Sequence, residues 1–375
     1  MANPRNILQL GIKELRSLWH DKVLLIVVGW AFTGMIYSVA SSTSQELHNA
    51  PIAVVDEDRS PLSQRIVNAF YGPYFQTADI ITLDAVDPNL DRGRYTFVLN
   101  IPPDFQRDLL AGKQPELQVN IDATRMSQSF IGDSYIQNIV NGEINEFVAG
   151  YRAAYAAPIG LVTRFKFNPN LTSSWFGSIM ELMNVITMVS IILTGAAVIR
   201  EREHGTLEHL LVMPLTPFEI VTAKIAANGL TILVAAAFSL FVVIQGLLQV
   251  PIQGSILLFL CGAAIHLFAT TSLGVLLGTI ARSMPQLGLL MILILLPLQM
   301  LSGGVTPRQS MPVMVQDIML LAPTTHFVQF AQAILYRGAG WAVVWPQFLA
   351  LSAIGGLFFA VALARFRKAI AQTQL

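Results

Sequence analysis

From Ile225 to Ala281 the chain reads IAANGLTILVAAAFSLFVVIQGLLQVPIQGSILLFLCGAAIHLFATTSLGVLLGTIA, 57 residues without one Asp, Glu, Lys or Arg. A helix of about 20 apolar residues crosses the ~30 Å hydrocarbon layer of a bilayer, so this run holds two such helices. Gln249, Pro251, Gln253 and Gly254 at its middle supply the turn between antiparallel neighbours. Uncharged runs recur on both sides, at Val23 to Gln45, Leu182 to Ile199, Ser283 to Pro307 and Gly338 to Ala364. Over the 375 residues, 12% are charged and 54% hydrophobic. An ordinary soluble domain carries about 25% charge, so composition excludes a soluble globular enzyme. Zero net charge and no basic run beyond Arg365, Arg367 and Lys368 leave no footprint for nucleic acid. Cys261 is the single cysteine, which rules out an intrachain disulfide or a cysteine zinc cluster.

Apolar windows predict six transmembrane helices, at Val23 to Ala40, Trp175 to Ile199, Ile225 to Leu248, Ser255 to Ile280, Gln286 to Ser302 and Trp341 to Ala364. Short cationic loops stay in the cytoplasm. Placing the amino terminus there puts Arg5, Lys13, Arg16, Lys22, Arg200, Arg202, Lys224, Arg282, Arg365, Arg367 and Lys368 inside, and only Arg308 and Arg337 in short outer loops. Both termini are then cytoplasmic. Ser38-Val39-Ala40 resembles a signal-peptidase site, but the apolar run of about 18 residues is too long for a signal-peptide core, so it reads as an uncleaved anchor. Within residues 1–22, Ile7, Leu8, Ile12, Leu15 and Leu18 share helical spacing, with Lys13, Glu14 and Arg16 on other faces, as in a helix lying on the inner membrane surface.

Residues 41–174 hold 25 of the 46 charged side chains, ten basic and fifteen acidic, and read as a soluble domain on the outer, periplasmic side. Strands are expected at Pro51 to Val55, Tyr95 to Ile101 and Leu117 to Ile121, with helices opened by Ser60-Pro61 and Pro102-Pro103-Asp104 and a longer one from Ser127 to Ala156. The domain is therefore mixed α/β. Asp56, Glu57 and Asp58 read as a solvated loop before a helix rather than a cation site, since metal ligands must converge from several segments. The predicted architecture is a polytopic α-helical membrane protein of six spans with a mixed α/β periplasmic domain between spans 1 and 2. Spans 2 to 6 fill residues 175–364, ahead of a cytoplasmic tail at 365–375.

The inner loop at 200–224 carries the sharpest signal. In Glu201-Arg202-Glu203-His204-Gly205-Thr206-Leu207-Glu208-His209-Leu210-Leu211-Val212-Met213-Pro214, the leucines at 207, 210 and 211 line one face of a short helix and the charged groups another. The following helix starts at Thr216-Pro217-Phe218-Glu219, where Thr216 can cap, Pro217 fits the first turn and Glu219 can close a capping box. The string EREHGTLEHLLVMPLTPFEIVTAK resembles the Glu-Arg-Glu, Gly-Thr-Leu-Glu, Leu-Leu, Pro pattern of type-2 ATP-binding-cassette exporter permeases, with ARSMPQLGLL and LPLQMLSGG in the later spans. The resemblance covers the whole chain. It implies a permease subunit that forms the substrate pathway as a homo- or heterodimer in a bacterial inner membrane. It also implies docking of a separate ATPase, which binds ATP and Mg, on Glu201, Glu203, Gly205, Thr206, Leu207, Glu208, Leu210 and Leu211. A periplasmic adaptor and an outer-membrane channel follow from the resemblance alone.

A hydrolysing cassette needs a glycine loop ending in Gly-Lys-Ser/Thr to cradle phosphate; here the one Gly-Lys, Gly112-Lys113, is followed by Gln114, so no ATPase site is expected in this chain. Leu301-Ser302-Gly303-Gly304-Val305 mimics part of a cassette signature, but its glycines better serve a turn before two short helices, Val313 to Leu321 and Thr324 to Tyr336. The resemblance implies that residues 303–340 are re-entrant from the outer side. Glu181 is the one acidic residue within a span, and Glu181, Asn184, Met188, Met291 and Met300 are the candidate pathway residues. His266 is expected as a neutral imidazole bonded to a neighbouring helix, Asn184, Asn228, Gln245 and Gln299 as interhelical hydrogen-bonders, and Gly274 with Gly278 as a close-packing face. A proton-coupled secondary transporter using Glu181 and His266 is the alternative, disfavoured because no repeat or pair of broken charged helices emerges. A membrane-anchored sensor is a third reading, with more spans than anchoring requires and no output domain.

Overall fold

The computed structural model describes residues 3–42, 47, 49–122, 126–149, 167, 172–203 and 215–373. It divides into two compact units, Ser44–Arg164, and Met1–Thr43 with Phe165–Leu375.

The chain opens with helix α1, Pro4–His20, whose first turn is capped by the Asn3 side chain accepting from the Arg5 amide at 3.0 Å. Asp21 ends one helix and starts the next. Its amide bonds the Ser17 and Leu18 carbonyls, and its carboxylate accepts from the Leu24 amide at 3.1 Å to open α2, Lys22–Ser42. Within α2 a wider π-helical stretch, Ala31–Met35, is a local feature that apolar counting does not show.

In the unit Ser44–Arg164 the elements run β1 (Ile52–Asp56), α3 (Pro61–Asn68), β2 (Asp79–Ile80), α4 (Val86–Asp91), β3 (Phe97–Ile101), α5 (Phe105–Leu110), β4 (Gln118–Ile121) and α6 (Met126–Ala149). The sheet order is β2-β1-β3-β4, with β1 parallel to β2 and β3, and β4 antiparallel to β3. Both faces of β1 and β3 are covered, which is why their sequences are near-continuous apolar runs. Ile52, Val54, Phe97 and Leu99 pack with Leu62, Ile66, Phe75, Phe105 and Ile136 on one face, while Ala53, Val55 and Val98 meet Val86 and Tyr95 on the other. Two of the acidic trio serve the loop: Asp56 accepts from the Arg59 amide and the Ser63 hydroxyl, and Asp58 from the Gln106 amide. Among the described residues no group of His, Cys, Asp and Glu is arranged to hold a metal ion.

The larger unit continues with α7 (Ser173–Glu203), α8 (Pro217–Leu247), α9 (Ile256–Ile280), α10 (Met284–Met300), α11 (Val313–Met319), α12 (Pro323–Leu335) and α13 (Trp341–Thr373). Among the described residues five helices, α2, α7, α8, α9 and α13, are long and apolar enough to cross a membrane; α10 is apolar but has 17 residues, and α11 with α12 forms a pair bent by 89°. The fifth span expected at Gln286 to Ser302 is thus a helix of the same length set two residues earlier. Ser283 caps it, Pro285 fits its first turn, and Leu301 already leaves helical conformation before Gly303 turns with φ +94°.

Helices α7 and α9 run side by side in the same direction and form the central seam. Thr187 meets the His266 Nε2 at 2.9 Å, the Ser190 hydroxyl donates to Thr270 at 2.7 Å, and further along the side chains shrink to glycine. A Cβ on Gly274 would lie 2.8 Å from the Ile191 carbonyl, and one on Gly278 would lie 2.8 Å from the Gly195 carbonyl. Lipid offers apolar side chains as good a solvent as a neighbouring helix does, so small residues and interhelical hydrogen bonds make this contact. The imidazole of His266 also stacks on Phe327 of α12, with ring centroids 3.9 Å apart. At the far end of α12, Tyr336 donates to the Phe176 carbonyl at 2.9 Å, and the Gln253 amide bonds the Leu335 carbonyl at 3.1 Å. Asn228 departs from expectation: it is fully buried in α8 with neither amide atom hydrogen-bonded.

Candidate functional site

The end of α7 is a hub. Arg200, Glu201, Arg202 and Glu203 are consecutive residues of one helix, and each successive side chain is turned by about 100°, so four in a row sweep most of a turn and reach different neighbours. Arg200 Nη1 pairs with Asp21 at the start of α2 at 2.9 Å. Glu201 Oε1 lies 2.6 Å from Lys224 Nζ of α8, and the same ammonium is 3.0 Å from Glu14 Oε1 of α1. Arg202 Nη1 donates to the Ala281 carbonyl at 2.6 Å, placing a cation at the carbonyl-rich end of α9. Glu203 Oε1 accepts from the Met284 amide at 3.2 Å, placing a carboxylate at the amide-rich start of α10.

Lys224 is 2% exposed, and its ammonium is held between two carboxylates of α1 and α7 that are themselves largely buried. Removing one partner from such a cluster is costly because the remaining charges stay desolvated. The capping box at the start of α8 ties in a second way. Glu219 Oε2 accepts from the Thr216 amide at 2.7 Å, the Thr216 hydroxyl accepts from the Glu219 amide, and Glu219 Oε1 accepts from the Asn3 amide at 2.7 Å and Asn6 Nδ2 at 3.2 Å. Helix α1 is therefore fastened to the base of the α7–α8 hairpin at Asn3, Asn6 and Glu14.

Of the eight residues assigned to docking by resemblance, Gly205, Thr206, Leu207, Glu208, Leu210 and Leu211 lie outside the described residues. Glu201 and Glu203 are described, and both direct carboxylate oxygens to partners inside the chain. Sequence reading missed Glu14, Asp21, Asn3 and Asn6 as members of this site. Asp21 and Asn3 carried a usable signal as helix-capping residues; Glu14 looked like one more polar group on a surface helix.

Three of the five candidate pathway residues share one stripe, a fourth, Met291, packs beside it, and Met300 stands apart. Glu181, Asn184 and Met188 share one stripe of α7, continued by Ile192 and Ala196, along which this otherwise buried helix is only partly covered. Met291 is buried beside that stripe, its methyl group against Gly195 and Met188 packed on the same cluster. Met300 is 59% exposed on α10, on a face shared with Leu289, Ile292, Leu293 and Leu296. The spacing 181, 184, 188, 192 would have identified the stripe; Met291 and Met300 carry no periodic relation to it.

The sequence that builds these helices and the hairpin base is similar to that of known proteins. Residues 23–364 match the model of a family described as ABC-2 family transporter protein. The chain belongs to that family. This ABC-2 permease is 63% identical over 370 residues, 99% of each chain, to the inner membrane transport permease YhhJ of Escherichia coli K12. It is 28% identical over 364 residues to the probable multidrug ABC transporter permease YbhR of the same organism, covering 96% of this chain and 97% of the relative. With YbhS, another probable multidrug ABC transporter permease of that strain, identity is 23% over 351 residues, 90% of this chain and 91% of the relative.

Proposed function

We infer that this permease is the transmembrane subunit of an ATP-driven exporter, and that the hub at the end of α7 carries the motion of a separate ATPase into the spans. The observation that supports the reading best is the set of bonds from Arg200, Glu201, Arg202 and Glu203 to the starts or ends of α2, α8, α9 and α10, with α1 joined through Lys224. A push on the loop between α7 and α8 reaches every one of these helices through a single turn. In this reading residues 205–211 meet the ATPase, and Glu201 and Glu203 transmit rather than dock.

The pathway forms where the partly covered α7 stripe of one copy faces a second permease, with Glu181 and Asn184 as its polar members. Lys and Arg bias sets the orientation: both termini and the α7–α8 loop in the cytoplasm, the 41–174 segment in the periplasm, and the whole in a bacterial inner membrane crossed six times. ATP and Mg bind the partner, not this chain, and its hydrolysis drives transport only by favouring one arrangement of the spans over another. The periplasmic segment is the natural contact for an adaptor and an outer-membrane channel. Relatives named for multidrug transport make amphipathic organic cations, complementary to Glu181 in an apolar stripe, the first substrates to try.

Reconstitution with the cognate cassette protein tests this. Wild-type permease should stimulate ATP hydrolysis and substrates should raise it further. Leu207→Asp should abolish co-purification, whereas Glu203→Gln should keep the complex and lower stimulation. Failure of the wild-type proteins to associate overturns the reading.

A further inference from the structure

The sheet of the α/β unit has two edges, and they are built differently. Strand β2 at one edge is two residues long, Asp79 and Ile80, which leaves almost no backbone on which another strand could pair. Strand β4 at the other edge, Gln118–Ile121, lacks the usual protections. From Leu117 to Ile121 there is no charge and no proline, and its pairing with β3 runs from Gln118 to Ile121 without a bulge. The Asp122 amide bonds the Thr96 carbonyl at 2.9 Å, so by antiparallel alternation Asn120 and Gln118 also turn their amides and carbonyls to β3, while Leu117, Val119 and Ile121 turn theirs away from the sheet. Among the described residues no hydrogen bond uses these outward groups.

Beside this edge the helices leave a cleft of about 560 Å³. Leu117 and Val119 form one side, Leu109 of α5 the back, and Ile136, Val140 and Ile144 of α6 the other side. Asp133, Gln137 and Asn141, four residues apart along α6, make a polar lip. Asp133 is the one charged residue in the lining, and Gln137 donates to it at 3.0 Å. The cations nearest in sequence to β4, Arg107 and Lys113, are paired with Asp104 and Asp108. Glu116, exposed just before β4, has no ion pair among the described residues.

A row of outward amides and carbonyls is complementary to one kind of backbone, an extended strand, and an apolar cleft on the same side takes every second side chain of that strand. We propose that β4 and this cleft bind an extended segment of another protein by strand addition, with apolar side chains at alternate positions seated between β4 and α6 and basic residues at the segment's ends. Charge selects the partner. Pairing with a second copy, centred on Val119, sets Glu116 of one chain against Asp122 of the other, two carboxylates across the join, whereas lysines at those places meet both with opposite charge. The site belongs to the α/β unit alone and does not depend on the ATPase reading.

Fluorescence anisotropy of a labelled peptide, Lys-Val-Thr-Val-Thr-Val-Lys, with the full-length protein in neutral detergent tests the proposal. The peptide reads the same from either end and so serves both pairing directions. Wild type should bind it saturably, with a dissociation constant below about 1 mM. N-methylation of the central valine, which removes the amide facing Val119, should weaken binding about tenfold. Replacing both lysines by aspartate should weaken it about fivefold. Val119→Pro removes an outward amide but spares the ladder to β3, and should also cost about tenfold in affinity. If that variant does not fold, Asn141→Trp fills the cleft from an exposed position and should abolish binding. Absence of saturable binding to wild type overturns the proposal, as does undiminished binding by a folded Val119→Pro or Asn141→Trp variant. A dimer that Val119→Pro dissociates would overturn it too, by assigning the edge to a second copy.

Discussion

The two faces of α7 are built on opposite plans. Toward α9 the helix presents Thr187, Ser190, Ile191, Thr194 and Gly195, a sequence of hydroxyls and small groups that hydrogen-bond or press directly on the neighbouring backbone. On another face Glu181, Asn184, Met188 and Ile192 follow one another at helical spacing and are left partly uncovered, Ile192 by 40%. Lipid rewards close backbone approach and satisfied polar groups, so the first face closes within the chain. A carboxylate with an amide beside it gains nothing from lipid, so the second face is suited to another protein surface or a solute. What closes a helix pair here is small size and hydrogen bonding rather than greasiness.

Four substitutions break or sharpen this contrast, beginning with the hub at which α7 ends. Lys224→Met leaves Glu14 and Glu201 buried without their shared cation and should cost about 3 to 5 kcal/mol, read as a lowered unfolding temperature in detergent. Adding Glu14→Gln and Glu201→Gln should return most of that loss, and a wild-type melt for Lys224→Met alone would show that the cluster holds nothing together. On the closed face, Gly278→Leu forces a side chain against the Gly195 carbonyl and Val198 and should cost about 1 to 3 kcal/mol by the same measurement. Thr187→Val removes one hydrogen bond to His266 and should cost only about 0.6 kcal/mol, since the stacked Phe327 still holds the ring. On the open face, Ile192→Cys should leave stability within about 0.5 kcal/mol. In a Cys261→Ser background it should cross-link between two copies, whereas Cys at the fully buried Ile191 should not; identical cross-linking at both positions would remove the distinction between the faces.

Much of the helix pattern is legible from charge alone, because apolar runs separated by Lys and Arg can be read without knowing what packs on what. The α/β segment shows where reading stops. Its strands β1, β3 and β4 lie within a residue or two of the expected runs, but β2 consists of Asp79 and Ile80 only, and a two-residue pairing has no periodicity to detect. The π-helical stretches at Ala31–Met35 and Ser239–Leu247 are equally silent, since they alter hydrogen-bond register and not composition. At the hub, the Glu-Arg-Glu string is visible as a motif, yet its use is not. Glu14 and Lys224 are 210 positions apart, and only the tertiary fold brings the carboxylate of a surface helix to the ammonium of α8. Asn228 marks the reverse case, a polar residue whose bonding was expected from its chemistry and is not provided by its surroundings.

The sweep of Arg200 to Glu203 makes α7 a ruler. Its marks are set at one end by Thr187 and Ser190 on α9 and at the other by four side chains aimed in four directions. Inserting or deleting one residue between those marks would rotate the terminal string by about 100° and offer each partner the wrong sign of charge. The distance from seam to hub is therefore fixed to the single residue, and a frame error there would unfasten five helices at once.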